Sequence, residues 1–237
     1  MIISHSQRFI FLANRKTAST SIGIALSSSC DKQDVITPLG RDEAIRERMG
    51  YPGPRNYIPW HSLPSYAALR IRRKLSGRSI NSELKQIGYH THITASEALK
   101  RLGGKKWHDY FRFCFVRNPW DRAISHYFWI TRDQENPMTL DEYIDGPALT
   151  RSAHESRMIY TIDDRLVVHR LCRFENAQAE LNRIFEELNL KGNPSLPESK
   201  RQYRQDRRHY RDVLNDAQAA RIALIFEKEI SLTGYQY

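Results

Sequence analysis

The feature that most constrains the fold is a repeated order: a short apolar run, a polar turn, then a helix-compatible stretch. Residues 8–13 read Arg-Phe-Ile-Phe-Leu-Ala, and the polar run Asn14 to Ser21 follows before Ile22–Ser29. Residues 111–116 read Phe-Arg-Phe-Cys-Phe-Val and lead into Arg117 and Asn118-Pro119, an N-cap followed by a proline suited to the first helical position. That helix is expected to run to about Arg132. A third strand is expected over Leu166–Arg173, followed by an amphipathic helix over Asn176–Leu188. Strands that alternate with helices predict an α/β fold with a parallel sheet covered on both faces.

The rest of the chain fits around these units. Thr94-Ala95-Ser96-Glu97 has capping-box spacing, and Gly103-Gly104 is expected to end its helix. Thr139 to Glu142 opens a further short helix, and another is expected over Ala217–Glu229. Residues 50–64 carry six glycines and prolines and read as a loop, ahead of a basic helix over 65–75 with few apolar positions. A basic loop spans 191–211. The 237 residues suit one sizeable domain, 1–237, with an insertion at about 50–88. Cys30, Cys114 and Cys172 are odd in number and widely spaced, which suits reduced thiols better than a disulfide framework. No apolar run approaches the roughly 20 residues of a membrane span, and residues 1–6 lack the basic and apolar regions of a secretory leader. A cytoplasmic location is the expectation. The net charge of +10 fits a polyanionic partner such as a nucleotide, nucleic acid, acidic glycan or anionic membrane, but equally a well-solvated basic surface.

The placement of the cations is more informative than their number. Arg15, Lys16, Thr17, Ala18, Ser19, Thr20 and Ser21 lie where a strand passes into a helix. A helix start presents unpaired N–H groups and a positive dipole end, so it attracts phosphate. An ordinary N-cap needs one hydroxyl, whereas this stretch has four in five residues. No glycine lies between Arg8 and Ile22, so the Walker A pattern is absent. The strand over 111–116 ends in Arg117, where a metal-dependent P-loop enzyme would have an aspartate. Arg117 falls at a strand's C-terminal end, the usual ligand side of an open α/β sheet, and Ser125 lies about two helical turns further on. Alone, this second segment is equally compatible with Arg117 pairing to a nearby acid.

Taken together, the segments resemble the PAPS-dependent sulfotransferase family, in particular its carbohydrate and Golgi-type branch and bacterial relatives. Phe9–Ile22 is similar to the family's 5′-phosphosulfate loop, and Phe113–Tyr127 to its 3′-phosphate segment, with Arg117 and Ser125 eight apart. Arg173-Phe174-Glu175-Asn176 resembles its strand-to-helix turn, and His209 to Tyr235 its C-terminal region. The resemblance implies a P-loop-like central parallel sheet flanked by helices. It implies that the donor-binding segment is Arg15 to Ser21, within which Lys16, Thr17, Ala18, Ser19 and Thr20 hold the 5′-phosphosulfate of PAPS, that Arg117 and Ser125 read the 3′-phosphate, and that Ser199, Lys200 and Arg201 close over the nucleotide. PAP would be the product, no metal is implied, and the acceptor would be a hydroxyl on a small molecule or glycan. The chain departs from the family at Thr91, where a lysine is common, and at Ala18-Ser19, where many relatives carry glycines.

Sulfuryl transfer to an alcohol needs a proton acceptor and a cation on the leaving oxygen. A neutral imidazole suits the first role and Lys16 the second. The resemblance aligns His92 with a family histidine that precedes a helix start, with His90 and His61 in reserve. His90 and His92 have no evident further ligands, so zinc is not expected. Tyr51, Tyr57, Trp60 and His61, together with the basic helix, are expected to flank an acceptor cleft for a carbohydrate or glycolipid. The alternatives are a basic nucleic-acid-binding protein and a P-loop-type nucleotide kinase.

Overall fold

A computed structural model describes residues 1–197 and 208–237. Strands β1 (Ile2–Ser4), β2 (Phe9–Leu12), β3 (Val35–Ile36) and β4 (Phe111–Val116) pair in one sheet with a strand at Arg170–Arg173. Two short strands precede that last one, β5 (Thr161–Ile162) and β6 (Arg165–Leu166), and form a separate hairpin, so Arg170–Arg173 is β7. The sheet order is β3-β1-β2-β4-β7. The three strands β2, β4 and β7 run parallel, with Phe11 opposite Phe113 and Phe115 opposite Cys172. The first two strands of the order, β3 and β1, join antiparallel, so the sheet is mostly parallel rather than wholly so. The expected third strand over 166–173 is thus shared between β6, a connecting stretch and β7.

Thirteen helices flank the sheet among the described residues. Along the first half run α1 (Ser19–Ser27), α2 (Glu43–Arg48), α3 (Leu63–Ser76), α4 (Asn81–Ile87), α5 (Ala95–Leu102) and α6 (Gly104–Asp109). After β4 come α7 (Pro119–Thr131), α8 (Leu140–Asp145), α9 (Pro147–Arg157) and α10 (Ala177–Glu187). The chain ends in α11 (Tyr210–Val213), α12 (Asp216–Ile225) and α13 (Glu227–Thr233). Gly103 ends α5 at φ +87° as expected, yet the chain re-enters a helix at once as α6. The single helix expected over 217–229 breaks at Phe226 into α12 and α13.

Side chains alternate across the pleat, which divides the core into two faces. Phe9, Phe11, Phe113 and Phe115 point to one face, with neighbouring ring centroids 5.4–6.5 Å apart. Ile22, Ala25 and Leu26 of α1 and Leu181, Ile184 and Phe185 of α10 cover them. Ile10, Leu12, Cys114 and Val116 point to the other face, under Trp120, Ala123 and Ile124 of α7 and Ala219 and Ile222 of α12. All four phenylalanines are fully buried, each contributing about 1.5–3 kcal/mol of apolar burial. The three cysteines are free and buried, and burial pushes the Cys30 and Cys172 thiols up to about 12. In contrast, α3 has no buried residue. No helix among the described residues is long and apolar enough to cross a membrane.

Candidate active site

Parallel pairing of β2 with β4 sets the C-terminal ends of both strands side by side. Buried Asn14 follows β2 and ties its surroundings together. Its Nδ2 donates to the Phe115 carbonyl at 3.3 Å, and its Oδ1 accepts from the Arg15 amide at 2.7 Å and from the Ser156 hydroxyl of α9. Thr17 Oγ1 donates back to the Asn14 carbonyl at 3.1 Å. Lys16 and Ala18 then adopt left-handed backbone, φ +62° and +52°, a conformation that costs a non-glycine residue about 1–2 kcal/mol. These two reversals turn the chain into α1 at Ser19, three residues before the expected Ile22. The N-cap is Ala18, which has no side-chain acceptor, and the first turn carries no acid. An ordinary Ser/Thr cap is therefore not what the hydroxyls of Ser19, Thr20 and Ser21 provide. The positive end of α1 keeps its attraction for anions.

Arg117 joins this turn to the second segment. Its Nη1 donates to the Lys16 carbonyl at 3.0 Å and to Ser125 Oγ at 3.1 Å. Its Nε and Nη2 both meet Asp121 Oδ2 at 2.7 Å, and its guanidinium lies 4.4 Å from the Phe174 ring centroid. The acid pairing left open by the sequence is therefore present, and it coexists with the reach to Ser125. Together these contacts fix the plane of the guanidinium fork. Asn118 caps α7 as expected, accepting from the Trp120 and Asp121 amides. Glu175 braces that cap, accepting from the Asn118 amide at 2.6 Å and from the Tyr235 hydroxyl at 2.7 Å. The Lys16 ammonium sits 4.9 Å from the centroid of Trp129 on α7.

His92 lies against the same strand end. Its Nδ1 is 2.8 Å from the Ala13 carbonyl, which can only accept, so Nδ1 carries the proton. Burial, reinforced by the positive charge of Arg15, pushes the imidazole down to about 3 despite that bond. The ring is then neutral near pH 7, with its lone pair on Nε2. A cavity of about 270 Å³ opens beside it, lined by Arg15, Lys85, His90, His92, Glu97 and Glu155 among others. Arg15 pairs with Glu155 across it at 3.3 Å. His90 is also pushed down, to about 4, chiefly by burial.

The structure thus brings Arg15 to Ser21, Arg117, Ser125, His92 and His90 to one end of the parallel strands. His61 is exposed on a single 3-10 turn and does not line the cavity, nor do Tyr51, Tyr57 or Trp60. Ser199, Lys200 and Arg201 lie outside the described residues. Asn14, Glu155 and Ser156 were not singled out from the sequence, because α9 has no local signal linking it to Asn14. Asp121 was legible in principle, four residues after Arg117 on one helix. No cluster of three or more His, Cys, Asp or Glu able to hold a metal is found among the described residues.

This arrangement defines an α/β protein with cationic side chains gathered at the ends of adjacent parallel strands. A family model described as the sulfotransferase family matches residues 1–236, and the chain belongs to that family. Membership makes it a transferase of sulfuryl groups, in a family that generally takes PAPS as donor. No curated protein and no solved structure matches the chain.

Proposed function

We propose that this chain moves the sulfuryl group of PAPS to an acceptor hydroxyl, with His92 as general base and Lys16 on the leaving oxygen. The observation that carries this reading is the junction made by Arg117, which reaches both the Lys16 carbonyl and Ser125 Oγ. It would tie a 5′ anion site to a second cationic clamp, and a donor with phosphates at both its 5′ and 3′ positions needs both. Arg15 to Ser21 would hold the 5′-phosphosulfate; Arg117 and Ser125 would hold the 3′-phosphate. Ser199, Lys200 and Arg201 are proposed to close over the nucleotide.

In the step itself, the acceptor oxygen attacks sulfur and its proton passes to His92 Nε2. The bond from sulfur to the bridging phosphate oxygen breaks, and Lys16 stabilises the charge left on PAP. The products are a sulfate ester and PAP, with the proton on His92. In the free protein the imidazole is a weak base, but it is always in the proton-accepting form at neutral pH. The negative charge of a bound donor raises its affinity for the proton as transfer proceeds. The cavity beside His92 combines apolar lining with the polar groups of Arg15, His90, Glu97 and Glu155, which suits a sugar ring with its hydroxyls, and a carbohydrate or glycolipid is the class proposed.

Turnover with labelled PAPS and a panel of sugar acceptors tests the reaction. Calorimetry with PAP against AMP tests the clamp. Lys16→Ala and Arg117→Ala proteins that bind PAP as wild type does would overturn the site assignment.

A further inference from the structure

We infer that α3 is a docking surface for an anionic lipid bilayer. The helix and the turn before it expose large apolar side chains to solvent: Trp60 is 83% exposed, Leu63 51%, Ile71 62% and Leu75 82%. At about 100° per residue, Leu63, Ala67, Ile71 and Leu75 fall on one stripe of the helix. Arg70 borders that stripe on one side and Arg72 on the other, and Lys74 lies just inside its Arg70 edge. The opposite face, with Tyr66 and Leu69, is partly covered, and α3 packs against α4.

Charge selects the occupant. Residues 60–88 hold six lysines and arginines against the single acid Glu83, so this hairpin supplies half of the chain's net +10. Glu83 pairs with Arg72, while Arg73, Lys74 and Arg78 have no ion-pair partner among the described residues. An apolar stripe bordered by long cationic side chains matches the layering of an anionic membrane surface. Tryptophan and aliphatic groups enter the acyl boundary there, and cations reach up to the phosphates. A second copy of the chain fits poorly, because a two-fold contact would set the same cations against one another. Nucleic acid would answer the charge but not the exposed Ile71 and Leu75.

The docking surface stands without the donor and base assignments above. It bears on them in one respect: Lys85 and Gln86 of α4 line the cavity beside His92, so docking α3 brings that cavity near the lipid headgroups.

The test is co-sedimentation of the full-length protein with phosphatidylcholine vesicles, with and without phosphatidylglycerol. Binding is expected only to the anionic vesicles, with a blue shift in tryptophan emission as Trp60 leaves water. Ile71→Ser/Leu75→Ser and, separately, Arg73→Glu/Lys74→Glu/Arg78→Glu should each weaken binding at least about tenfold. Both variants should melt as wild type does, since these side chains are exposed. The inference is overturned by failure to bind, by equal binding to neutral vesicles, or by binding that Ile71→Ser/Leu75→Ser leaves intact. It is also overturned by a solution dimer that the same pair dissolves, or by single-stranded RNA binding more tightly than the vesicles do.

Discussion

The Arg117 guanidinium donates to the backbone carbonyl of Lys16 at 3.0 Å, across two segments about a hundred residues apart. The turn after β2 and the strand end of β4 are thereby one hydrogen-bonded unit. A change in either segment is felt by the other, and this coupling shapes the first expectation.

Arg117→Lys should behave nearly as badly as Arg117→Ala toward PAP. A lysine ammonium cannot reach Asp121, Ser125 and the Lys16 carbonyl together as the planar fork does. Charge-assisted bonds contribute about 1.5–3 kcal/mol each, so PAP affinity should fall roughly ten- to hundredfold in both variants. AMP, which lacks the 3′-phosphate, should lose less. Calorimetry with the two nucleotides measures the difference, and an Arg117→Lys protein with wild-type PAP affinity would sink the idea.

His92→Gln should lower sulfuryl transfer by about 10²–10⁴ while leaving PAP affinity nearly unchanged. The pH profile is the sharper readout. With the free imidazole pushed down to about 3, the ring is unprotonated across the neutral range. The acid limb of kcat/KM should therefore lie well below 6.5, the ordinary histidine value. A limb that titrates near 6.5 and vanishes in His92→Gln would contradict the burial of this ring.

Ala18 pays for the left-handed N-cap of α1 with no side-chain bond in return. Ala18→Gly should relieve about 1–2 kcal/mol of strain, offset by about 0.4–1 kcal/mol of added freedom in the unfolded chain. A small net gain is expected, a rise in Tm of about 1–3 °C. Ala18→Val should lower Tm, because a β-branched residue tolerates positive φ worst. Thermal melts of the two variants moving in the same direction would refute this account.

Acid should destabilise the fold through three histidines. His90 and His126 are pushed down to about 4 and His92 to about 3, in each case chiefly by burial. Between those values and about 6.5 the unfolded chain binds protons that the native state refuses, so stability rises with pH there. It is fully present above about 6.5 and is lost as pH falls toward 4 and 3. Urea midpoints measured from pH 7 to 4 should fall steadily, and His126→Gln should flatten part of that slope. A midpoint unchanged over this range would show that the rings titrate normally.

Arg122 sits five residues after Arg117, yet it faces the core and not the site. It pairs with Glu229 of α13 at 2.9 Å, both side chains almost wholly buried, and donates to the Ser152 carbonyl at 2.7 Å. Arg122→Met takes from the buried Glu229 carboxylate its ion-pair partner and should cost about 3–5 kcal/mol. Arg122→Met/Glu229→Leu should recover most of that loss. Chemical denaturation of the two proteins decides it, and a double variant no more stable than Arg122→Met would show that the pair is not the cause.

Much of this protein was legible in its sequence because the signals are local. Phenylalanine alternation in 111–116 marks a buried strand, Asn118-Pro119 marks a helix start, and the run Arg15 to Ser21 marks the turn from a strand into a helix. Each depends on neighbours within a few residues. The antiparallel strands β1 and β3 escaped notice because three and two residues carry no readable period. The bracing of Asn14 by Ser156, the pairing of Arg15 with Glu155 and the burial of Arg122 on Glu229 join positions 107 to 142 residues apart. Local pattern alone decides which segments become strand, turn and helix. Only tertiary packing decides which of them meet, because burial and the partner across the gap set each side chain's orientation, charge state and tautomer.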